Sequence, residues 1–287
     1  MKKLKHRPRE IGNAVQVGLQ RGAHRDLYFF FLHWSWPRVF GLFFSFYFLL
    51  NAFFAFLYTL QPDSITNARS GSFIDAFFFS VETFATIGFG NMGPATRFAH
   101  IIVTIEAATG LIAVAMATGV MFAKLARAQA KVLFSKTAVI MRRNGEKTLS
   151  IRVANARGND LVEATVNIVV LVQDQNTEGQ RMRLMKDLKL ERSRSPFFRL
   201  SWQIMHKIDS ESPLAELLSA EQASPHFLGF TVTVMGHDGT FGQTVYARHI
   251  YYPDDLRMGH RFVDVLSELP DGRTLMDYGK FHETYAE

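Results

Sequence analysis

Two stretches of this chain leave little choice about their surroundings. Residues 39–60 carry no charge and are crowded with phenylalanine, and residues 98–123 carry only Glu106. Wound as helices at roughly 1.5 Å per residue, each exceeds the ~30 Å hydrocarbon thickness of a bilayer. Both therefore read as membrane-spanning helices. Residues 73–85 are also apolar, but their ~20 Å of helix falls short of a crossing. A half-length helix followed by irregular backbone is tolerated at membrane depth only where protein or a water-filled cavity surrounds it. Span, half-helix, irregular segment, span is the order of a re-entrant pore loop.

The irregular segment is Thr86-Ile87-Gly88-Phe89-Gly90. Its alternating glycines reach backbone conformations that L-residues avoid, so such a strand can aim successive carbonyl oxygens the same way. Four copies around an axis give stacked oxygen rings able to replace the water around K+, with the Thr86 hydroxyl closing the innermost ring. Residues 88–93 also fit G-x-G-x-x-G, but that dinucleotide fingerprint needs a strand before it and a helix after it in a βαβ unit. A short aromatic helix inside a membrane block precedes it here.

Charge sets the orientation. Lys2, Lys3, Lys5, Arg7, Arg9, Arg21, Arg25 and Arg38 precede the first span, and Lys124, Arg127, Lys131 and Lys136 follow the second. Between the spans the basic residues are Arg69 and Arg97. The positive-inside rule predicts both termini in the cytoplasm of a multi-pass protein of the cell (inner) membrane. The net charge of +6 gathers beside the spans, which favours anionic membrane lipids over nucleic acid as a partner. Arg25, Arg38, Lys124, Arg127 and Lys131 are the candidate headgroup ligands, each contributing about 1 kcal/mol near an anionic surface.

The remainder reads as a soluble domain. Residues 149–153 and 230–234 alternate with period two, and residues 166–172 are nearly all aliphatic or β-branched. Further strands are expected over 138–142, 182–190, 197–204, 244–252 and 261–265, separated by turn signals such as Asn144-Gly145 and Asp238-Gly239. A short helix is expected from Pro213 to about Gln222, capped by Ser212. That spacing predicts an immunoglobulin-like β-sandwich, and an α + β membrane protein overall. The expected divisions are 1–36 (N-terminal segment with an interfacial helix), 37–130 (pore domain) and 131–287 (cytoplasmic β-sandwich). The chain has no cysteine. No two of its histidines share a helix face at metal-ligand spacing, and neither a nucleophile elbow nor a P-loop is present. Neither an enzyme nor a cofactor is expected, and K+ is the one ion implied.

Carboxylates at membrane depth cost roughly 2.5 kcal/mol or more unless they face protein or water. Glu82 is therefore expected as a strut behind residues 86–90, beside Thr83, and Glu106 as packed behind the short helix. On the second span Gly110, Val114, Thr118 and Phe122 recur every four residues and form one drifting stripe. Its lower end is expected to line a conduit that a Phe122 ring closes by dewetting. Gly110 permits either bending or close helix approach.

Taken together, these residues resemble the inward-rectifier potassium channels, in particular their prokaryotic branch. Residues 26–37 look like the interfacial slide helix, Val81-Glu82-Thr83 and residues 86–90 like the pore helix and filter, and Phe122-Ala123-Lys124 like the inner-helix end. Beyond the membrane, Leu200-Ser201-Trp202, Met205-His206, Ile208-Asp209, Ala247-Arg248 and residues 252–255 are similar to the family's cytoplasmic domain. The resemblance implies a homotetrameric potassium channel gated at the inner helices and by the cytoplasmic domain. It also implies a cytoplasmic constriction at Gly239, Thr240, Phe241, Gly242 and Gln243, where residue pattern alone allows an ordinary hairpin turn. Phe89 departs from the tyrosine of most potassium filters and removes a bracing hydroxyl. Val114 stands where strong rectifiers carry an acid, so tight polyamine block is not expected. A weakly selective cation channel and a non-conducting membrane-anchored sensor are the alternatives.

Overall fold

The computed structural model describes residues 27–218 and 223–287. They form two compact units, 27–127 and 128–287.

In the first unit, α1 (Leu27–His33) is followed by α2 (Trp36–Thr59), whose Pro37 occupies the first turn, where a missing N–H costs nothing. A short strand β1 (Ile65–Thr66) leads to α3 (Phe73–Phe84). Ser72 caps α3 by accepting the Asp75 N–H, which satisfies one of the helix's orphan donors. Strand β2 (Gly93–Pro94) returns antiparallel to β1, and α4 (Arg97–Leu125) follows with Thr96 as its cap. At 24 and 29 residues, α2 and α4 are long and apolar enough to cross a bilayer; α3, at 12 residues, is not. A small core of Phe54, Ala55, Tyr58, Ala76, Phe79, Ala99 and Ile102 joins the three helices near β1. Most of both long helices is otherwise bare in the protomer, with Phe44, Leu49, Leu111 and Met116 each more than 60% exposed. Apolar surface on that scale marks contact with lipid or other copies.

The second unit is a sandwich of two five-stranded sheets. One has the order β11-β10-β6-β7 with β8 on β6, from β6 (Leu161–Gln175), β7 (Arg181–Asp187), β8 (Arg194–Phe198), β10 (Phe227–Asp238) and β11 (Gln243–Tyr251). The other has the order β12-β4-β5-β3 with β9 on β5, from β3 (Val132–Phe134), β4 (Ala138–Arg143), β5 (Glu146–Asn155), β9 (Ser201–Lys207) and β12 (Leu256–Met258). Alternate residues of facing strands fill the core: Leu149, Ile151 and Val153 meet Val166, Ile168, Val170, Phe230, Val232 and Val234.

The single strand expected over 197–204 is two strands joined by a short bend, because β8 pairs with β6 while β9 crosses to β5 in the other sheet. The helix expected from residue 213 is α5 (Leu214–Leu217), and residues 219–222 lie outside the described residues. The strand expected at 261–265 is shorter, His260–Phe262, and pairs with Thr284–Ala286.

Candidate ion pathway

The segment after α3 has a backbone of alternating hand. Thr86, Gly88 and Gly90 have φ of 55°, 59° and 80°, while Ile87 and Phe89 keep ordinary negative φ. In a plain strand successive carbonyls point to opposite sides; reversing the hand at every second residue turns them toward one side. Glycine takes such φ without penalty, but threonine is β-branched, and the left-handed region strains it by about 1–3 kcal/mol. Strain of this kind gathers where function demands it. Among the described residues no donor reaches the carbonyl oxygens of residues 86–90. Backbone carbonyls left unpaired in a row need other partners.

Two backbone bonds fix the inner end: Thr86 N–H to Thr83 O at 3.1 Å and Ile87 N–H to Glu82 O at 2.8 Å. These bonds run through the main chain of Glu82 and Thr83. The Glu82 carboxylate is half-buried and meets no hydrogen-bond or ionic partner among the described residues. Phe89 is 74% exposed in the protomer.

Glu106 is fully buried behind α3. It accepts from Tyr58 Oη at 2.6 Å and from Ser80 Oγ, which also lies 3.1 Å from Asn51 Oδ1; Asn51 Nδ2 in turn donates to Tyr47 O at 2.8 Å. One carboxyl thus ties α2, α3 and α4 together. Four residues on, Gly110 packs against the end of α3, where an added Cβ would lie 2.6 Å from Phe84 O. Sequence periodicity grouped Gly110 with Val114, Thr118 and Phe122, but it is buried while those three are exposed. A four-residue step advances ~40° around a helix at 3.6 residues per turn, so the upper end of the stripe faces α3 and its lower end does not. Phe122 is 70% exposed.

Of the cations expected to meet lipid headgroups, Lys124 has other partners. Its Nζ donates to Phe31 O (2.9 Å), Leu32 O (3.1 Å) and Trp34 O (2.6 Å) and lies 5.4 Å from the Trp36 ring centroid. An ammonium has three N–H donors, and here they satisfy carbonyls at the C-terminus of α1, where positive charge is favoured. With its three N–H groups so engaged, Lys124 caps α1. Arg127 contacts His33 Nε2 at 3.3 Å; Arg38 and, in the other unit, Lys131 are exposed. Arg25 lies outside the described residues. Spacing alone did not reveal the Lys124 cap, because its acceptors are backbone atoms some 90 residues earlier in the chain.

Residues 239–242 form the turn of the β10–β11 hairpin, and Gln243 begins β11. Gly242 has φ 61° and donates its N–H to Asp238 O at 2.8 Å. The buried Asp238 carboxylate accepts from Asn159 Nδ2 (2.7 Å), Thr240 N (3.0 Å), Phe241 N (3.3 Å) and Arg157 Nη1 (3.2 Å). Burial pushes its pKa up, but these donors and the Arg157 charge outweigh burial and hold it below the ordinary carboxylate value. The Arg157 guanidinium also covers the Phe241 ring at 4.6 Å. This turn is pinned from beneath by a buried anion, while its tip residues are exposed.

Comparison with known proteins agrees with this arrangement. The family model described as "Ion channel" matches residues 30–127, and "Inward rectifier potassium channel C-terminal domain" matches residues 132–286. The chain is 43% identical over 272 residues to the inward rectifier potassium channel Kirbac3.1 of Paramagnetospirillum magnetotacticum, covering 94% of this chain and 92% of that protein. It is 33% identical over 222 residues to human ATP-sensitive inward rectifier potassium channel 11, covering 74% of this chain and 57% of that one. Human ATP-sensitive inward rectifier potassium channel 8 is also 33% identical, over 77% of this chain and 53% of its own length. The chain thus spans little more than half of these two human relatives.

Proposed function

The chain belongs to the inward-rectifier potassium channel family, and from that we propose that four copies surround an axis lined by the carbonyl oxygens of residues 86–89. It is a membrane potassium channel, not an enzyme. The observation that carries the filter reading is the row of unpaired carbonyls on a backbone of alternating hand. Rings of such oxygens solvate a dehydrated K+. The side chain of residue 89 does not enter that coordination, so Phe89 does not by itself remove selectivity. Its missing hydroxyl does keep a weakly selective cation channel as the second reading, and reversal potentials in potassium/sodium gradients separate the two.

Below the filter, the exposed stripe Val114, Thr118 and Phe122 lines the conduit, and four Phe122 rings close it by excluding water. Both termini lie in the cytoplasm of the cell membrane, by the positive-inside distribution of basic residues. Arg38, Arg127 and Lys131 remain the headgroup ligands, with Arg25 among them on sequence grounds, and the 239–243 turn is the cytoplasmic constriction. Barium-sensitive rubidium uptake into liposomes tests the core of this reading. Wild type takes up rubidium, and Gly88→Ala, which forces a side chain onto φ 59°, abolishes uptake. Equal uptake by both refutes a filter at residues 86–90.

A further inference from the structure

The segment leaving the outer end of residues 86–90 is held by side-chain bonds, whereas the inner end is held through main-chain atoms alone among the described residues. On the α3 side, among the described residues, residues 86–90 make the two backbone bonds described above; the Glu82 side chain offers no bond and Phe89 no hydroxyl. The segment that leaves the filter, by contrast, is bound three times to the stretch preceding α3. Strands β1 and β2 pair Ile65 with Pro94 and Thr66 with Gly93. Thr66 Oγ1 donates to Gly93 O at 3.0 Å. Asn67 Nδ2 donates to Asn91 O at 2.7 Å, and Asn91 directly follows Gly90.

The anchor is itself held at both ends. Ser64 Oγ donates to Tyr58 O at 2.8 Å, and Ile65 is buried in the core under α2 and α3. On the other side, Arg69 grips Asp75 in the first turn of α3 with Nε at 2.9 Å, Nη2 at 2.8 Å and its backbone N–H at 2.9 Å. Asn67 lies between these two fixed points with φ 59°, a conformation that asparagine tolerates better than most residues. Its side chain is therefore presented to Asn91 from a stationary platform.

We infer that Asn67 is a positioning residue for the outermost carbonyl ring of the filter, and that this chain sets ion selectivity partly from the outside of the pore. The inference rests on the channel reading above. The restraint reaches Phe89 and Gly90 through two peptide units, each planar and stiff, so slack at Asn91 O is passed on to the ligating oxygens.

The test uses the full chain in liposomes and reads the ratio of rubidium to sodium uptake. Asn67→Asp preserves size and suits the left-handed backbone, but sets an acceptor against the Asn91 carbonyl. The ratio should fall by about tenfold, the change equivalent to one hydrogen bond. A Cβ at Gly93 would lie 3.3 Å from Thr66 Oγ1, so Thr66→Cys with Gly93→Cys places a disulfide across the same gap. In the Asn67→Asp background, oxidation should restore the ratio and reduction should lower it again in the same liposomes. A merely structural role would reduce the yield of assembled channels without moving the ratio. An unchanged ratio in assembled Asn67→Asp overturns the inference, as does a ratio indifferent to reduction of the cross-linked form if the single variant does not assemble. Loss of all barium-sensitive uptake in wild type would instead remove the channel reading, and this inference with it.

Discussion

Replacing Gly110 by alanine tests whether the filter's base is held by close packing. The new Cβ would sit 2.6 Å from Phe84 O, 3.4 Å from Phe84 C and 3.5 Å from Phe84 Cα. Carbon and carbonyl oxygen ordinarily approach no nearer than about 3.3 Å, so the overlap is about 0.7 Å. The obstructing atom is backbone at the end of α3, two residues before Thr86, and cannot rotate aside. Either α3 or α4 must move, and overpacking of this kind costs about 1–3 kcal/mol. Alanine also gains about 1 kcal/mol over glycine in a helix, which partly offsets the clash and obscures it in a single variant. Gly119→Ala supplies the control: it lies on the same helix, and its Cβ meets nothing within 4 Å in the protomer. The two variants share the propensity gain, so Gly110→Ala should be the less stable by the clash alone, about 1–3 kcal/mol per subunit. Thermal unfolding of the purified channel measures the difference, and barium-sensitive rubidium uptake should fall with it as the base of the filter shifts. If Gly110→Ala and Gly119→Ala melt together and conduct equally, the packing argument is wrong. A hinge at Gly110 would instead change open probability at unchanged stability.

Lys124→Met should free the C-terminus of α1, and amide exchange across Leu27–His33 should accelerate about tenfold or more for the loss of charge-assisted bonds; unchanged exchange refutes the cap. Asp238→Ala should destabilise the second unit by about 1–3 kcal/mol through the donors it strands, read as a lower melting temperature of the full chain. Because the folded-state pKa of Asp238 is depressed, its contribution is complete above the ordinary carboxylate value near pH 4 and is lost as pH falls through the lower folded value. The Asp238→Ala variant should lack that part of the acid transition. His249, stacked on Phe134 and edge-on to Tyr251, has its pKa lowered by burial, with the Asp255 charge opposing. Its neutral form is thus favoured in the fold, so stability present above about pH 6.5 should decline as pH falls below it; a His249→Gln melting temperature that follows wild type from pH 8 to 5 argues against this.

The sequence alone determined the membrane unit to within a few residues. Span length is fixed by bilayer thickness, and charge, glycine and proline mark the ends of helices whatever they pack against. The alternating backbone of residues 86–90 was legible for a similar reason, because glycine spacing encodes backbone conformation directly. The two-layer β architecture followed from period-two alternation, but the crossover at residues 199–200 did not, because the neighbouring strands join different sheets and only long-range pairing reveals that. Three features of the site emerged from the tertiary structure alone. Gly110 turned out to be a contact surface for Phe84, Lys124 a cap on α1, and Asn67 a donor to the Asn91 carbonyl. Each depends on a backbone carbonyl far away in sequence. Every residue carries such a carbonyl, so nothing in the residue pattern distinguishes the one that is used, and only folding brings the two partners into contact.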